Sequence, residues 1–234
     1  MDFVILNGVK STTLKGFLIS SLPPISKPLM RVNVEQIDGR DGDIISELGY
    51  SAYDKQMSIG LFGDYDVNEV IKYFNSEGEV IFSNELDKYY KYKIIQQIDF
   101  EKLIRFKTAT VTFHVQPFKY SAVETKFVHD VGDEDNGFHL VNGGNIYSKP
   151  RITIYGSGIV NLYINGEQYF LMDIGEAEYI TLDGETLNAS TGETLMNRHV
   201  AGNLDKLRFN VGNNTIAWDG NVTKVEVENF VRWI

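Results

Sequence analysis

The fold of this chain is decided by two stretches of its C-terminal third, YSKPRITIYGSGIVNLYINGEQYF (residues 147–170) and NNTIAWDGNVTKVEVENFVRWI (residues 213–234). In both stretches apolar and polar residues alternate, which is the pattern of β-strands with one buried face. The alternation is interrupted by Asn-Gly at residues 165–166 and Asp-Gly at residues 219–220. Both residues of such a pair adopt positive φ readily, so each pair predicts a hairpin turn. Residues 147–234 are therefore predicted to form an all-β sandwich or barrel.

The first half of the chain predicts strands and a single helix. The helix is predicted over residues 66–75, because its apolar residues fall at the i, i+3, i+4, i+7 spacing of one helical face. Asp66, with Glu69 three residues later, resembles a capping box. Strands are predicted at residues 30–37, 53–62, 78–82, 89–98 and 103–115. One helix among strands favours an α+β or mostly-β domain over alternating βαβ units.

The composition excludes several classes of protein. The chain has 234 residues and no cysteine, so disulfides, thiolate catalysis and cysteine-based zinc sites are excluded. No apolar run approaches the ~20 residues that a membrane span requires, so we expect no membrane insertion. The N-terminus has no basic region before its apolar stretch, which favours a first strand over a signal peptide.

The charge distribution argues against specific nucleic-acid binding. Residues 1–125 carry 17 acidic and 14 basic side chains, and residues 126–234 carry 15 acidic and 8 basic side chains. Neither half has a basic stripe that would contact phosphates. An acidic surface is compatible with letting DNA pass without holding it, because like charges repel.

The motifs predict no catalytic, cofactor-binding or metal-ligating residue. The sequence contains neither HExxH nor G-x-S-x-G. A cation site is conceivable where His129 and His139 flank a cluster of acidic residues, but a solvated acidic loop is the favoured interpretation. The acidic residues are Asp130, Asp133, Glu134 and Asp135. Gly-Ser-Gly at residues 156–158 lacks a following helix that could hold phosphate, so we expect a turn or a bulge there.

Carbohydrate binding is the strongest alternative that the residues leave open. Trp218 together with residues 197–199 (Asn-Arg-His) supplies the side-chain types with which β-sandwich lectins bind sugars. Trp218 also alternates with Ile216 along a predicted strand, so packing in the core explains it at least as well.

Several stretches resemble the siphophage distal tail protein family, in its short form without carbohydrate-binding insertions. In the C-terminal third these are YSKP, the following RITIYGSG and the terminal RWI. In the first half they are IDGRDGD, ELGYSAYDKQMSIGL, FSNELDKYY and FKTATVTFHVQPFKYS. The resemblance covers residues 30–234.

The resemblance implies a two-domain organisation. Residues 1–125 would form a ring-forming α+β domain, a β-sandwich or barrel with one helix and a long hairpin. Residues 126–234 would form a galectin-like β-sandwich, with the boundary anywhere in residues 120–140. We further expect that an edge strand, such as the one predicted at residues 89–98, extends its sheet into a neighbouring copy.

The resemblance also implies a function in the virion. The protein would form a homo-hexameric ring at the distal end of a long non-contractile phage tail, after synthesis in the bacterial cytoplasm. The ring would join the major tail tube protein to a tail-associated hub, fibre or lysin protein, and some relatives also carry a receptor-binding protein. It would serve as the baseplate hub for host attachment and DNA passage, without enzymatic activity or cofactors. The alternative is a β-sandwich protein that binds host cell-wall polysaccharide.

Overall fold

The computed structural model describes residues 2–123, 126–132, 135–166, 168–228 and 231–234. The chain divides into two compact units. The first is Met1–Ala122 together with Ile234, and the second is Val123–Trp233. Strands dominate both units, so the predicted mostly-β fold class is confirmed.

The first unit contains one curled sheet and one separate hairpin. Its strands are β1 (Val4–Leu6), β2 (Val9–Lys10), β3 (Phe17–Ser21), β4 (Met30–Gln36), β5 (Asp43–Tyr50), β6 (Tyr53–Leu61), β7 (Glu77–Phe82), β8 (Lys88–Lys93) and β9 (Thr108–Ser121). The sheet has the strand order β2-β1-β7-β8-β9-β6-β3, and β4 pairs with β5 alone. The pairings described here are antiparallel.

The core of the first unit follows from alternation along β6 and β9. Ala109, Val111, Phe113 and Val115 of β9 are buried, as the sequence predicts for one strand face. Phe113 lies at the centre of this core, where its ring makes edge contacts with neighbouring aromatic rings at 5.3–6.4 Å. Such edge-to-face pairs stabilise a core beyond the burial of their area.

The predicted helix is present as α1 (Val67–Phe74). The backbone N–H of Asn68 donates to the Asp66 carboxylate at 2.8 Å, which caps the first turn. Val70 and Phe74 are buried against the sheet, whereas Ile71 is exposed. The apolar face of the helix is therefore narrower than its sequence spacing predicts.

The prediction of a single helix is wrong, because α2 (Phe100–Phe106) occupies the start of the strand predicted at residues 103–115. The Asp99 carboxylate accepts a hydrogen bond from the backbone N–H of Lys102 at 2.7 Å and caps this helix. Leu103 is fully buried and anchors it. Lys107, at φ 59°, ends α2 in the left-handed conformation, and β9 begins at the next residue.

The expectation that residues 89–98 form an edge strand is also wrong. β8 lies inside the sheet, paired with β7 on one side and with β9 on the other. Its backbone groups are used within the unit and cannot recruit a neighbouring copy.

The second unit is built around two long strands. Its strands are β10 (Lys126–Asp130), β11 (Gly137–Asn142), β12 (Arg151–Ile164), β13 (Gln168–Asp173), β14 (Tyr179–Asp183), β15 (Asn188–Thr191), β16 (Thr194–Leu195), β17 (Val200–Ala201), β18 (Gly212–Glu228) and β19 (Arg232–Trp233). The central order is β10-β18-β12-β14-β15-β16, with β11 also paired to β18 and β13 paired to β12 and β17. The galectin-like detail of this sandwich stays a prediction.

One of the two predicted hairpin turns is confirmed. Asn165 and Gly166, at φ 56° and 70°, reverse the chain between β12 and β13. Asp219 and Gly220 instead lie inside β18, where residues 158–160 of β12 oppose Gly220 alone. The Asp-Gly pair therefore lies opposite a bulge of β12, and β18 continues through it, because the two strands stay paired on both sides.

Gly220 provides a stability test of this bulge. A Cβ at Gly220 would lie 2.5 Å from the Ile159 carbonyl oxygen, and φ is +108°. Gly220→Ala is therefore expected to destabilise the protein by on the order of 3 kcal/mol or more in urea denaturation. Gly212→Ala is the control, because φ is +88° there but nothing lies within 4 Å of the added atom. We expect the control to cost only about 1–2 kcal/mol; equal losses for the two variants would contradict the close approach.

Candidate interaction surfaces

The β4–β5 hairpin carries an exposed apolar stripe. Val34 lies directly opposite Ile45 across the hairpin, and Val32 follows two residues along the same face. These three side chains, the hairpin stripe, are 40%, 48% and 63% exposed for Val32, Val34 and Ile45. The opposite face is mainly polar: Asn33 and Ser46 lie directly opposite each other there, and Glu35 lies opposite Ile44.

Among the residues that the structure describes, no further strand pairs with the hairpin, and its base is held by the ring of Tyr50 against Phe118 at 5.6 Å. β4 and β5 form a separate two-stranded sheet, and none of their residues is buried. An isolated two-stranded hairpin is only marginally stable in water, and a third layer or strand is needed for stability. The hairpin is therefore a candidate interaction surface.

The base of the hairpin is held by the proline strap, residues 21–28. The Lys55 ammonium donates to the Pro24 carbonyl at 2.7 Å, and the Asn84 side-chain amide donates to the Pro23 carbonyl at 3.1 Å. The strap leads directly into β4, so these bonds determine where the hairpin leaves the first unit.

A buried charge cluster lies beneath the strap. Lys119 pairs with Glu85 at 2.8 Å, and both side chains are less than a tenth exposed. The Tyr90 hydroxyl donates to the other Glu85 oxygen at 2.6 Å. Burial is the main cause that lowers the pKa of Lys55 to about 8; Glu85 opposes this shift and Lys119 adds to it.

The sequence analysis missed this cluster, although one signal was present. Lys55 precedes Met57, Ile59 and Leu61 at the two-residue spacing of one strand face. A lysine in phase with three core residues predicts a buried ammonium. The charges that act on it, Glu85 and Lys119, lie far away in sequence, so only the sheet brings them close to it.

Lys55 predicts a rise in stability at alkaline pH. Its pKa of about 8 in the folded state lies below the ordinary 10.5, so the unfolded chain binds more protons between these values. The free energy of unfolding is therefore expected to rise between about pH 7 and about pH 9.5, by on the order of 1–2 kcal/mol. Lys55→Met should abolish this rise, whereas Lys91→Met, at an exposed position of β8, should keep it. An unchanged pH profile in Lys55→Met would contradict the assignment.

Trp218, the candidate sugar-stacking residue, is buried and cannot contact a sugar at the surface. Trp218 is 3% exposed and packs against the rings of Phe138 and His129 at 5.9 and 5.8 Å. Asn197–His199 form a short 3₁₀ turn, in which the Asn197 side chain accepts a hydrogen bond from the backbone N–H of Ala189. Packing in the core is therefore the correct interpretation of Trp218.

The acidic segment near residue 130 forms no metal centre among the residues that the structure describes. His129 hydrogen-bonds the Asp135 carboxylate at 2.5 Å, which holds the pKa of Asp135 below its usual range. His139 instead contacts the hydroxyl of Thr215. Asp133 and Glu134, which the cation hypothesis also used, lie outside the described residues.

Gly-Ser-Gly at residues 156–158 is a bulge of β12, which is one of the two outcomes that the sequence predicts. A Cβ at Gly156 would lie 2.1 Å from the Asn221 carbonyl oxygen, so this glycine allows two backbones to approach closely. Within the described part of the chain, no helix is long and apolar enough to cross a membrane.

Residues 7–115, which include the hairpin and the strap, match the family described as phage tail protein RIFT-related domain. These residues belong to that family of phage tail proteins. The sequence-based recognition of a siphophage distal tail protein is thereby confirmed, with support from the fold of the whole chain. The chain is thus a phage tail component.

Solved structures share the fold of this phage tail protein over its whole length. One is the Dit protein of phage SPP1, described as a paradigm of the hub adsorption apparatus in phages that infect Gram-positive hosts. It has a TM-score of 0.65 and 17% identity, and the match covers 98% of this chain and 99% of that one. A chain of the phage p2 baseplate in its activated conformation with Sr has a TM-score of 0.51 and 11% identity, covering 97% and 96% of the two chains. No curated protein matches the sequence.

Proposed function

We propose that this phage tail protein is the structural hub at the distal tail tip, where its first unit assembles into a homo-hexameric ring. The ring connects the major tail tube protein to a tail-associated hub, fibre or lysin protein. Its central channel lets the genome pass during infection. The second unit offers a place for a receptor-binding protein.

The observation that carries this proposal is the hairpin stripe. Three exposed apolar side chains on an unsupported hairpin need a partner surface, and the hairpin belongs to the family-matched residues. A hairpin of one copy that packs on a different surface of the next copy makes a heterologous contact. Such contacts generate a ring when the rotation between copies closes.

Charge supports passage of DNA and argues against binding it. The formal net charge of the chain is −10, so a channel lined by this protein would on balance repel phosphates. We infer a structural role without catalysis, because the matched family and the similar solved structures are phage tail components.

The proposal is tested by the mass and shape of the purified protein. Multi-angle light scattering should give a mass six times that of the 26.5 kDa chain, and negative-stain images should show rings. If the protein forms rings only with its neighbours, adding the tail tube protein should produce them. A monomer both alone and with the tube protein would refute the hub.

A further inference from the structure

A polar groove lies on the outward face of the second unit, where β12, β14, β15 and β16 pair in sequence. Its volume is about 470 Å³. Ser190 lies at its centre, because it pairs with Thr181 on one side and with Leu195 on the other. The lining also includes Arg151, Tyr179, Asp183, Thr186, Asn188 and Glu193.

The charged side chains at the edge of the groove hold one another in place through ion pairs. Arg151 donates to Asp183 through Nε and Nη2 at 3.2 and 2.9 Å, and to Glu228 through Nη1 at 3.1 Å. Burial alone would raise the pKa of Asp183, but the backbone N–H groups of Thr186 and Glu185 and the Arg151 guanidinium together lower it. The carboxylate therefore stays ionised, and the guanidinium is balanced by two carboxylates.

This balance excludes several classes of ligand. An anion such as a phosphate would meet a guanidinium that two carboxylates already neutralise, beside the further carboxylate of Glu193. A metal ion is disfavoured because no group of three candidate ligands is found among the described residues. An apolar peptide would find only Leu195 as a large aliphatic contact within the described lining, at the outer strand β16.

The remaining side chains match a neutral ligand rich in hydroxyl groups. Thr181, Ser190 and Asn188 line the groove with hydroxyl and amide groups, which both donate and accept hydrogen bonds. The Thr181 hydroxyl shares one hydrogen bond with the Thr153 hydroxyl at 2.9 Å, and the Asn188 oxygen accepts one from the Asn197 amide at 3.0 Å. Each of these two side chains keeps further hydrogen-bonding capacity for a ligand. Tyr179 adds an aromatic ring whose hydroxyl accepts the backbone N–H of Gly192 at 3.0 Å. The same ring contacts Tyr155 at 5.1 Å, so it is held in place before a ligand arrives.

We propose that this groove binds a neutral saccharide through Thr181, Asn188 and Ser190, with Tyr179 against a C–H face of the sugar. The site is separate from buried Trp218 and from the ring-forming unit. Only the source of the sugar, a glycan of the host surface, rests on the proposed function. The groove would let the tail tip contact that surface directly.

The test uses the full-length protein on an array of neutral glycans built from hexoses, N-acetylhexosamines and deoxyhexoses, with charged glycans alongside. Binding to at least one neutral class is expected. Ser190→Tyr fills the groove from its centre and should weaken that binding at least tenfold. Thr223→Tyr is the matched control, since it adds the same ring at an exposed position of β18 outside the groove, and it should bind as the unchanged protein does.

Three outcomes would overturn the inference: no neutral glycan is bound, only charged glycans are bound, or Ser190→Tyr binds as well as Thr223→Tyr. Light scattering on the same samples separates this inference from the hub. A ring that binds no glycan would refute the saccharide groove alone, whereas a glycan-binding monomer would refute the ring alone.

Discussion

Ile45→Lys is expected to convert the assembled ring into monomers while leaving the monomer folded. Ile45 is 63% exposed, so lysine at this position disturbs no internal packing. In a ring, the same position would place an ammonium in an apolar contact, and the loss of one such contact costs about 2 kcal/mol or more. Because each copy of a ring makes the contact, the losses accumulate. Light scattering of the purified variant measures the result, and circular dichroism verifies the fold.

Ser46→Lys is the matched control for this prediction. Ser46 is the next residue of β5 and is also exposed, but its side chain points to the polar face of the hairpin, opposite Asn33. The same charge should therefore leave the ring intact. If both variants dissociate the ring, the effect is one of charge and not of the stripe. If neither does, the stripe lies outside the interface and the proposed assembly loses its main support.

Glu85→Gln is expected to destabilise the first unit by about 3–5 kcal/mol, the usual cost of removing one partner from a buried ion pair. Glu85 is the carboxylate that the structure places beside Lys119 at 2.8 Å and within the electrostatic reach of Lys55. Its neutralisation removes the buried carboxylate that balances the Lys119 and Lys55 ammonium groups. Urea denaturation followed by circular dichroism gives the free energy of unfolding.

The double variant Glu85→Gln/Lys119→Met is the control. Removing the second charge of the pair relieves the uncompensated cation, so the double variant should be more stable than Glu85→Gln alone. A double variant as unstable as the sum of its single variants would show that the pair does not interact. The single variant should also loosen the proline strap, which limited proteolysis between residues 21 and 28 would detect.

The Asn-Gly and Asp-Gly dipeptides both predict hairpin turns, but the prediction holds only for Asn-Gly. Asn165 and Gly166 form a hairpin as predicted, since both residues take positive φ and the two strands that they join pair with each other. Asp219 and Gly220 carry the same local signal but lie inside β18. The difference lies in the neighbouring strand β12, whose own bulge accommodates the Asp-Gly pair, and no local window contains both strands.

The second helix, α2, is predicted as the start of a strand because its apolar residues run directly into the alternating residues of β9. Leu103 and the apolar residues after it continue into the alternating run of β9, so the whole stretch resembles one long strand. The Asp99 cap and the left-handed Lys107 divide it into a helix and a strand. Asp99 was visible in the sequence, but the conformation of Lys107 depends on tertiary context, because its carbonyl accepts the Leu61 backbone N–H at 3.2 Å.

The sequence by itself determined the mostly-β class, the inward face of β9 and the membership in a family of tail proteins. These properties follow from the alternation of apolar and polar residues and from short sequence motifs, both of which are visible in consecutive residues. The tertiary structure alone decided that Trp218 is core, that the hairpin stripe is exposed and that Ser190 lies at the centre of a polar groove. Burial and exposure depend on which distant strands pair, and a single strand carries no record of its neighbours.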